Sequence, residues 1–365
     1  MLFVPRPAGG RVRRPLPSPA ARPSLTAVIP AYNYARFLPD CVGSILGQRD
    51  VDVAVIVVDD GSGDDTPRVT RALAADPRVT VIRHERNVGQ LPSVNEGLAL
   101  VESEFVMKFD ADDLLPPGAL ARATALLRAE PSLGFVYGRP QHFSGAVPRL
   151  ADAAARSWTV WPGREWLARR CRAGTNVISQ PEVVMRSAAL REAGPIRTDL
   201  PHTFDLYLWL RLASLADVGR VNGPAQGLYR VHEASLQRTV HSGRMLDVRE
   251  RARAFDALLA DGGAVAGSAQ LHADVRRALA ASALERACRA YDRGRTDAEP
   301  VDELVDFALA SWPRTPRLRQ WRALQRRRAL GAARVPRQPR YVAAALARRA
   351  VEEAGRARWL RTGEW

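Results

Sequence analysis

Three carboxylates fall within four positions of the stretch FVMKFDADDLLPPG, residues 105–118, where an apolar run delivers Asp110, Asp112 and Asp113 before the chain turns at Pro116, Pro117 and Gly118. Acids this close repel one another, and taking them out of water is costly without a compensating cation or hydrogen-bond donor. A D-x-D pair at a strand end can give one or two oxygens to a hard divalent cation, Mn2+ or Mg2+, and leave its other positions to substrate phosphates. A metal held in this way stabilises charge on a departing phosphate. For a lone D-x-D, the competing reading is a solvated acidic loop.

The elements before these acids have the pattern needed to deliver them to a ligand. Apolar strand runs LTAVIP (25–30), VAVIVVDD (53–60), RVTVIRH (78–84) and EFVMKFD (104–110) alternate with helical segments over 36–48, after GSGDDT, and over 91–101. Near-continuous β-branched runs alternating with helices predict an α/β fold with a mostly parallel sheet covered on both faces. Ligands of such sheets bind beyond the carboxyl ends of the strands. PAYN (30–33), Asp59-Asp60, Arg83-His84 and the D-A-D-D run all fall at those ends. Singly, each is as well explained as a turn former or helix cap; together they predict a site.

Composition narrows the function classes. The 365-residue chain has a net charge of +15, but residues 1–24 contribute +5 and residues 314–365 contribute +12, leaving about −2 for the body. A nucleic-acid-binding fold would carry its basic stripe on the body, so no nucleic acid is expected. Three widely spaced cysteines, Cys41, Cys171 and Cys288, suggest neither a disulfide framework nor a zinc site, and a cytoplasmic setting is expected. No stretch reaches the length of an apolar membrane span. The domain reading is a Pro/Arg-rich disordered leader (1–24), an α/β domain (25–240), a helical extension (241–313) and a basic helical tail (314–365). That tail interleaves Arg with Trp and Leu, a composition suited to the anionic inner face of a membrane.

Taken in order, AVIPAYNYARFLPDCVGSILGQ, VIVVDDGSGDDT, HERNVGQLPSVNEGL, FVMKFDADD, FDLYLWLRL and LYRVH resemble the inverting family-two glycosyltransferases with a GT-A fold, over roughly residues 25–235. The resemblance implies transfer of a sugar from a nucleotide diphosphate donor to a carbohydrate or lipid-linked acceptor hydroxyl, in cell-envelope glycan or glycolipid synthesis. It implies that Pro30, Ala31, Tyr32 and Asn33 seat the nucleotide and that Asp59 and Asp60 lie where a carboxylate accepts from the base. It implies that Asn87, Gly89 and Asn95 line the pocket, that Asp110 contacts the ribose or the metal shell, and that Asp112 binds the metal. The family's helix-start Glu-Asp becomes Phe204-Asp205, which keeps the Asp that deprotonates the acceptor and loses the Glu. In YRVH, Arg230 and His232 alternate to one side of a strand, so Arg230 can neutralise leaving-group charge and a neutral His232 can join the metal shell. Trp158, Trp161 and Trp166 suit either sugar stacking or core packing. Two rivals stand beside this reading: a nucleotidyltransferase acting on sugar phosphates, although PAYNYARF lacks a Gly-rich phosphate loop, and a noncatalytic basic adaptor for anionic lipid or nucleic acid.

Overall fold

The computed structural model describes residues 9–16, 21–232, 244–261 and 268–363. Its strands in chain order are β1 (Arg11–Arg13), β2 (Ser24–Ala31), β3 (Asp52–Asp59), β4 (Val79–Arg83), β5 (Phe105–Lys108), β6 (Leu133–Phe143), β7 (Ser157–Trp161), β8 (Val184–Arg186) and β9 (Asp217–Arg230). They form one sheet in the order β1-β7-β9-β6-β8-β5-β2-β3-β4. Apolar runs buried on both faces pair in parallel at its centre: β2 runs beside β3 from Ser24↔Asp52 to Ala31↔Asp59, with β5 on its other side and β4 outside β3. Ala31, Asp59, Arg83 and Lys108 therefore end at one edge, where the sequence pattern placed the ligand.

The helices between these strands are α1 (Leu38–Leu46), α2 (Thr66–Leu73) and α3 (Gln90–Ala99). Helix α3 lies so close to the sheet that a Cβ on Gly97 would sit 2.5 Å from Val28 Cγ1, so glycine is required at this approach. Further along come α4 (Ala119–Ala129), α5 (Gly163–Ala173), α6 (Ser187–Ala193) and α7 (Phe204–Leu215). The main core joins Leu25, Val57, Phe105 and Leu127. Trp158, Trp161 and Trp166 are 2%, 0% and 1% exposed, so they pack the interior and are not free to stack on sugars.

The other half of the sheet is mixed. Strand β8 is antiparallel to both β5 and β6, β6 is parallel to β9, and β7 is antiparallel to β9. Two features differ from the sequence expectation. RVNGPAQGLYRVHEAS (220–235) has the sequence pattern of strand, turn and strand, but up to Arg230 it belongs to the single 14-residue strand β9; the extra residues around Gly223 are taken up by register shifts against β6. Within the expected disordered leader, Arg11–Arg13 instead pairs with Trp158–Val160 as β1, because β7 offers an open edge there. Residues 1–8 and 17–20 of the leader lie outside the described residues.

Two compact units are present. The first takes in the described residues up to Trp166, then Val177 to His232 and Leu360 to Gly363; the second takes in Leu167–Asn176 and the described residues from Arg244 to Trp359. The second is helical, with α8 (Arg244–Ala260), α9 (Ala269–Asp292), α10 (Val301–Ser311), α11 (Arg319–Leu330) and most of α12 (Pro339–Thr362). Its core gathers Leu284, Leu304 and Leu324, and the 2%-exposed Asp292 carboxylate pairs with both Arg327 and Arg348. Among the described residues no helix is long and apolar enough to cross a membrane.

Candidate active site

At the end of β5 the chain turns on itself, with Asp113 N donating to Asp110 O at 3.1 Å, and the three acids diverge. Asp113 points inward. It is 1% exposed, its Oδ1 accepts from Arg230 N at 2.8 Å, and its Oδ2 is buried without a hydrogen-bond partner among the described residues. Burial, then Asp112 and Asp110, push its carboxyl well above the usual range. Asp112 keeps its Oδ2 2.8 Å from His232 Nε2; burial and Asp110 raise it, and His232 pulls it back. Asp110 is the most accessible of the three side chains, and its Oδ1 accepts from Lys108 Nζ and, at 3.3 Å, from Gln90 Nε2.

Strand β9 fixes the far wall. Leu114 and Leu228 exchange backbone hydrogen bonds of 3.1 and 2.8 Å, which brings Arg230 and His232 over the acids. Arg230 donates from Nε to Asp112 O at 2.8 Å, and its guanidinium lies between the rings of Phe37 (4.9 Å) and Phe143 (4.7 Å). Its Nη2 is buried with no partner among the described residues. The His232 ring is 5.0 Å from Phe37. Two rings thus hold a guanidinium that keeps hydrogen-bonding capacity in reserve.

Asp205 opens α7. Its Oδ1 accepts from Leu206 N at 2.7 Å; burial dominates its environment and lifts the carboxyl to about 6, with Lys108 opposing the rise and Asp110 adding to it. Phe204, where the resemblance expects Glu, turns its ring to Lys108 Nζ at 5.5 Å. The structure thus brings Asp110, Asp112, Arg230 and His232 together, and Lys108 reaches from Asp110 to the ring of Phe204, the neighbour of Asp205.

The other expected site residues divide. Tyr32 is 47% exposed at the end of β2, an aromatic face open to a ligand. Asn33, at φ 61°, ties the β2 and β3 turns together: its N donates to Ser62 Oγ at 2.9 Å and its Oδ1 accepts from Gly63 N at 2.9 Å. Pro30 and Ala31 are buried in β2. Asp59 is wholly buried, with Oδ1 accepting from Ser62 N at 3.0 Å. Asp60 is also closed off, accepting from Val88 N (2.8 Å), Gly89 N (2.9 Å) and His84 Nδ1 (2.8 Å). Burial would raise its carboxyl, but these donors outweigh it and hold it below the usual range. Asn87 contributes backbone: a Cβ on Gly61, at φ 70°, would lie 2.7 Å from Asn87 N. Gly89 takes φ 103° at the start of α3. Asn95 sits apart from the rim, its amide exchanging two 2.8 Å hydrogen bonds with the Ile196 backbone.

Among the described residues no three His, Cys, Asp or Glu side chains converge on a metal position. The acids nevertheless suit a divalent cation in the mode that takes one or two carboxylates and completes its shell with phosphate oxygens. Asp110 and Asp112 are crowded and partly accessible, and burial together with Asp110 raises the Asp112 carboxyl.

The sequence model described as Glycosyl transferase family 2 matches residues 26–190, the segment that carries the β2–β5 rim and the three acids. Residues 26–190 are a family-2 glycosyltransferase domain. Over 100 residues the chain is 38% identical to the succinoglycan biosynthesis protein ExoO of Rhizobium meliloti, a match covering 27% of this chain and only 28% of that protein. Among solved structures it is similar to S. aureus TarS 1–349 in complex with UDP-GlcNAc, with a TM-score of 0.60, 17% identity, and 86% and 89% of the two chains covered. It is also similar to the mannosyltransferase PcManGT of Pyrobaculum calidifontis in complex with GDP-Man and Mn2+, with a TM-score of 0.52, 22% identity, and 88% and 90% covered. At these identities the likeness establishes the GT-A fold of the family-2 domain.

Reasoning from sequence missed Lys108, Phe37, Phe143 and Gln90 in the family-2 site. Lys108 alone carried a signal, as the single lysine of the chain. His84 was seen only as a strand-end residue, yet its ring bridges Asp60 and Glu96 at 2.8 and 2.7 Å, and those two acids raise it above its ordinary 6.5. A raised histidine contributes stability that is fully present below pH 6.5 and lost as pH climbs through its folded value. NMR titration is expected to place His84 above 6.5, and Glu96→Gln is expected to bring it down and to flatten the stability loss above pH 6.5. A titration of His84 that ignores the Glu96 substitution would contradict the bridge.

Proposed function

We propose that the chain is a metal-dependent, inverting glycosyltransferase that moves a sugar from a nucleotide diphosphate donor to an acceptor hydroxyl. One observation carries this reading: Asp110 and Asp112 follow β5 on the rim of a GT-A fold, and the lysine that pairs with Asp110 faces the ring of Phe204, next to Asp205, whose carboxyl burial lifts to about 6. A general base works best with a pKa near the operating pH. Asp205 takes the proton from the acceptor hydroxyl, and inversion follows if the hydroxyl attacks the face opposite the leaving diphosphate. Asp110 and Asp112 would hold Mn2+ or Mg2+, which when bound supplies charge neutralisation for the diphosphate. Arg230 donates its unused Nη2 to the same phosphates, and Tyr32 offers its ring to the base. The nucleotide sugars and Mn2+ bound by TarS and PcManGT, and the biosynthetic role of ExoO, support a nucleotide-sugar donor, a divalent ion and a glycan product.

The acceptor reading extends to the inner face of a membrane. Val342, Leu346 and Val351 of α12 are 47%, 64% and 71% exposed, and Ala343, Ala347, Ala350 and Ala354 are exposed too. Residues 314–365 carry +12. An apolar side flanked by arginines fits an anionic lipid surface, each near-surface Arg contributing about 1 kcal/mol, and such a surface suits a lipid-linked acceptor.

Three outcomes test these statements. Asp112→Asn should abolish Mn2+-dependent binding in a screen of nucleotide sugars by calorimetry, whereas Asp205→Asn should keep donor binding and lose transfer; equal transfer rates for wild type and Asp205→Asn would remove the proposed base. An acid raised from 3.8 to about 6 contributes stability below pH 3.8 that is lost as pH rises through about 6. Asp205→Asn should therefore gain about 1–3 kcal/mol at pH 8 in urea unfolding, and a less stable variant would show that the carboxylate is not strained. Vesicles with and without phosphatidylglycerol should separate binding of the full chain from binding of Leu346→Glu/Val351→Glu; identical sedimentation would end the membrane reading.

A further inference from the structure

Of 54 Lys and Arg side chains only Lys108 is lysine, and it occupies the centre of the site. It is the last residue of β5, 2% exposed, paired with Asp110 and 5.5 Å from the Phe204 ring. A sequence that otherwise answers every need for a cation with arginine has a physical reason to change here. Guanidinium is a rigid planar fork, whereas an ammonium on a four-carbon stem is a compact charge that can turn from one acceptor to another. Phe204 sharpens the point. A carboxylate at that position would pin the ammonium, while a ring face attracts it without offering a lone pair. The departure from the family's Glu and the presence of the single lysine thus account for each other.

Of the acids around this ammonium, Asp113 is turned inward, its Oδ1 accepting from Arg230 N and its Oδ2 buried. Asp205 directly follows Phe204, whose ring the ammonium already faces at 5.5 Å, and its carboxylate senses the Lys108 charge. A divalent cation on Asp110 would compete for the oxygen that Lys108 holds, and two cations at one oxygen repel. We propose that Lys108 is a positioning residue that couples the two halves of the reaction: its ammonium holds Asp110 in the metal-free chain and turns past Phe204 to Asp205 when Asp110 takes up a cation. The base is then oriented only after metal and diphosphate are in place. This inference rests on the reading of Asp110 and Asp112 as metal ligands.

A single lysine gives a single side-chain NMR signal. In wild type labelled with [ε-13C]lysine, adding Mg2+ and inorganic pyrophosphate should move the Lys108 peak. Asp110→Asn should displace the peak mainly in the metal-free protein, and Asp205→Asn should displace it mainly in the loaded one. A peak that stays still while calorimetry registers Mg2+–pyrophosphate binding overturns the coupling and leaves the metal reading intact. If calorimetry registers no binding, both fall together. Lys108→Met, checked for folding by near-UV circular dichroism, should bind Mn2+ without donor about two- to fivefold more tightly, since a competing ion pair is gone. Its kcat should fall about tenfold or more with donor KM little changed. A lysine that merely packs the core would leave Mn2+ affinity unchanged or weakened, and that result would also reject the proposal.

Discussion

Like-charge crowding at the end of β5 is the constraint that organises the rest of the first unit. Asp110, Asp112 and Asp113 cannot share one turn as free carboxylates, and each is answered from a different element. Lys108 comes from β5 itself, His232 follows β9, and the backbone N–H of Arg230 comes from within β9. The Leu114–Leu228 bridge holds β9 against the acidic turn so that these partners arrive in register. Removing Lys108 or His232 leaves a partly buried carboxylate short of its counter-charge, a more serious loss than that of a surface ion pair. The site and the sheet around it are therefore one structure.

The half of the fold built from β2 to β5 was readable because strands buried on both faces are written as continuous apolar runs, and their ends followed directly. The mixed half was less so. Strand β9 carries Asn222, Gly223 and Pro224 in its middle, which read as a turn, and only pairing with β6 and β7 makes the segment one strand. The acids of the site were legible because three of them sit together. Asn33, Asp60 and Asn95 were legible only as polar residues at useful places. Their partners lie about 30 to 100 residues away in sequence, so nothing local separates a ligand contact from a loop tie. Lys108 illustrates the opposite case: its rarity was visible, and an arginine-rich composition hid its meaning.

Polar groups of the first unit are divided between two duties. Asp60, Asn33 and Asn95 are satisfied by protein donors and acceptors and hold loops at fixed spacing. Asp113 Oδ2 and Arg230 Nη2 keep unused capacity in the interior, and Asp205 is held above its ordinary range by burial. The first group stabilises, and the second is a store of unfavourable desolvation that a bound phosphate, cation or hydroxyl can relieve. Sites of this kind are where stability and activity trade against each other.

The solitary lysine at the heart of the sheet also makes the chain its own reporter of opening. An endoprotease specific for lysine has one peptide bond to cut, that between Lys108 and Phe109, and both residues are buried, at 2% and 0% exposed. Cleavage can proceed only when β5 detaches, so the rate of appearance of two fragments measures how often the central strand leaves the sheet.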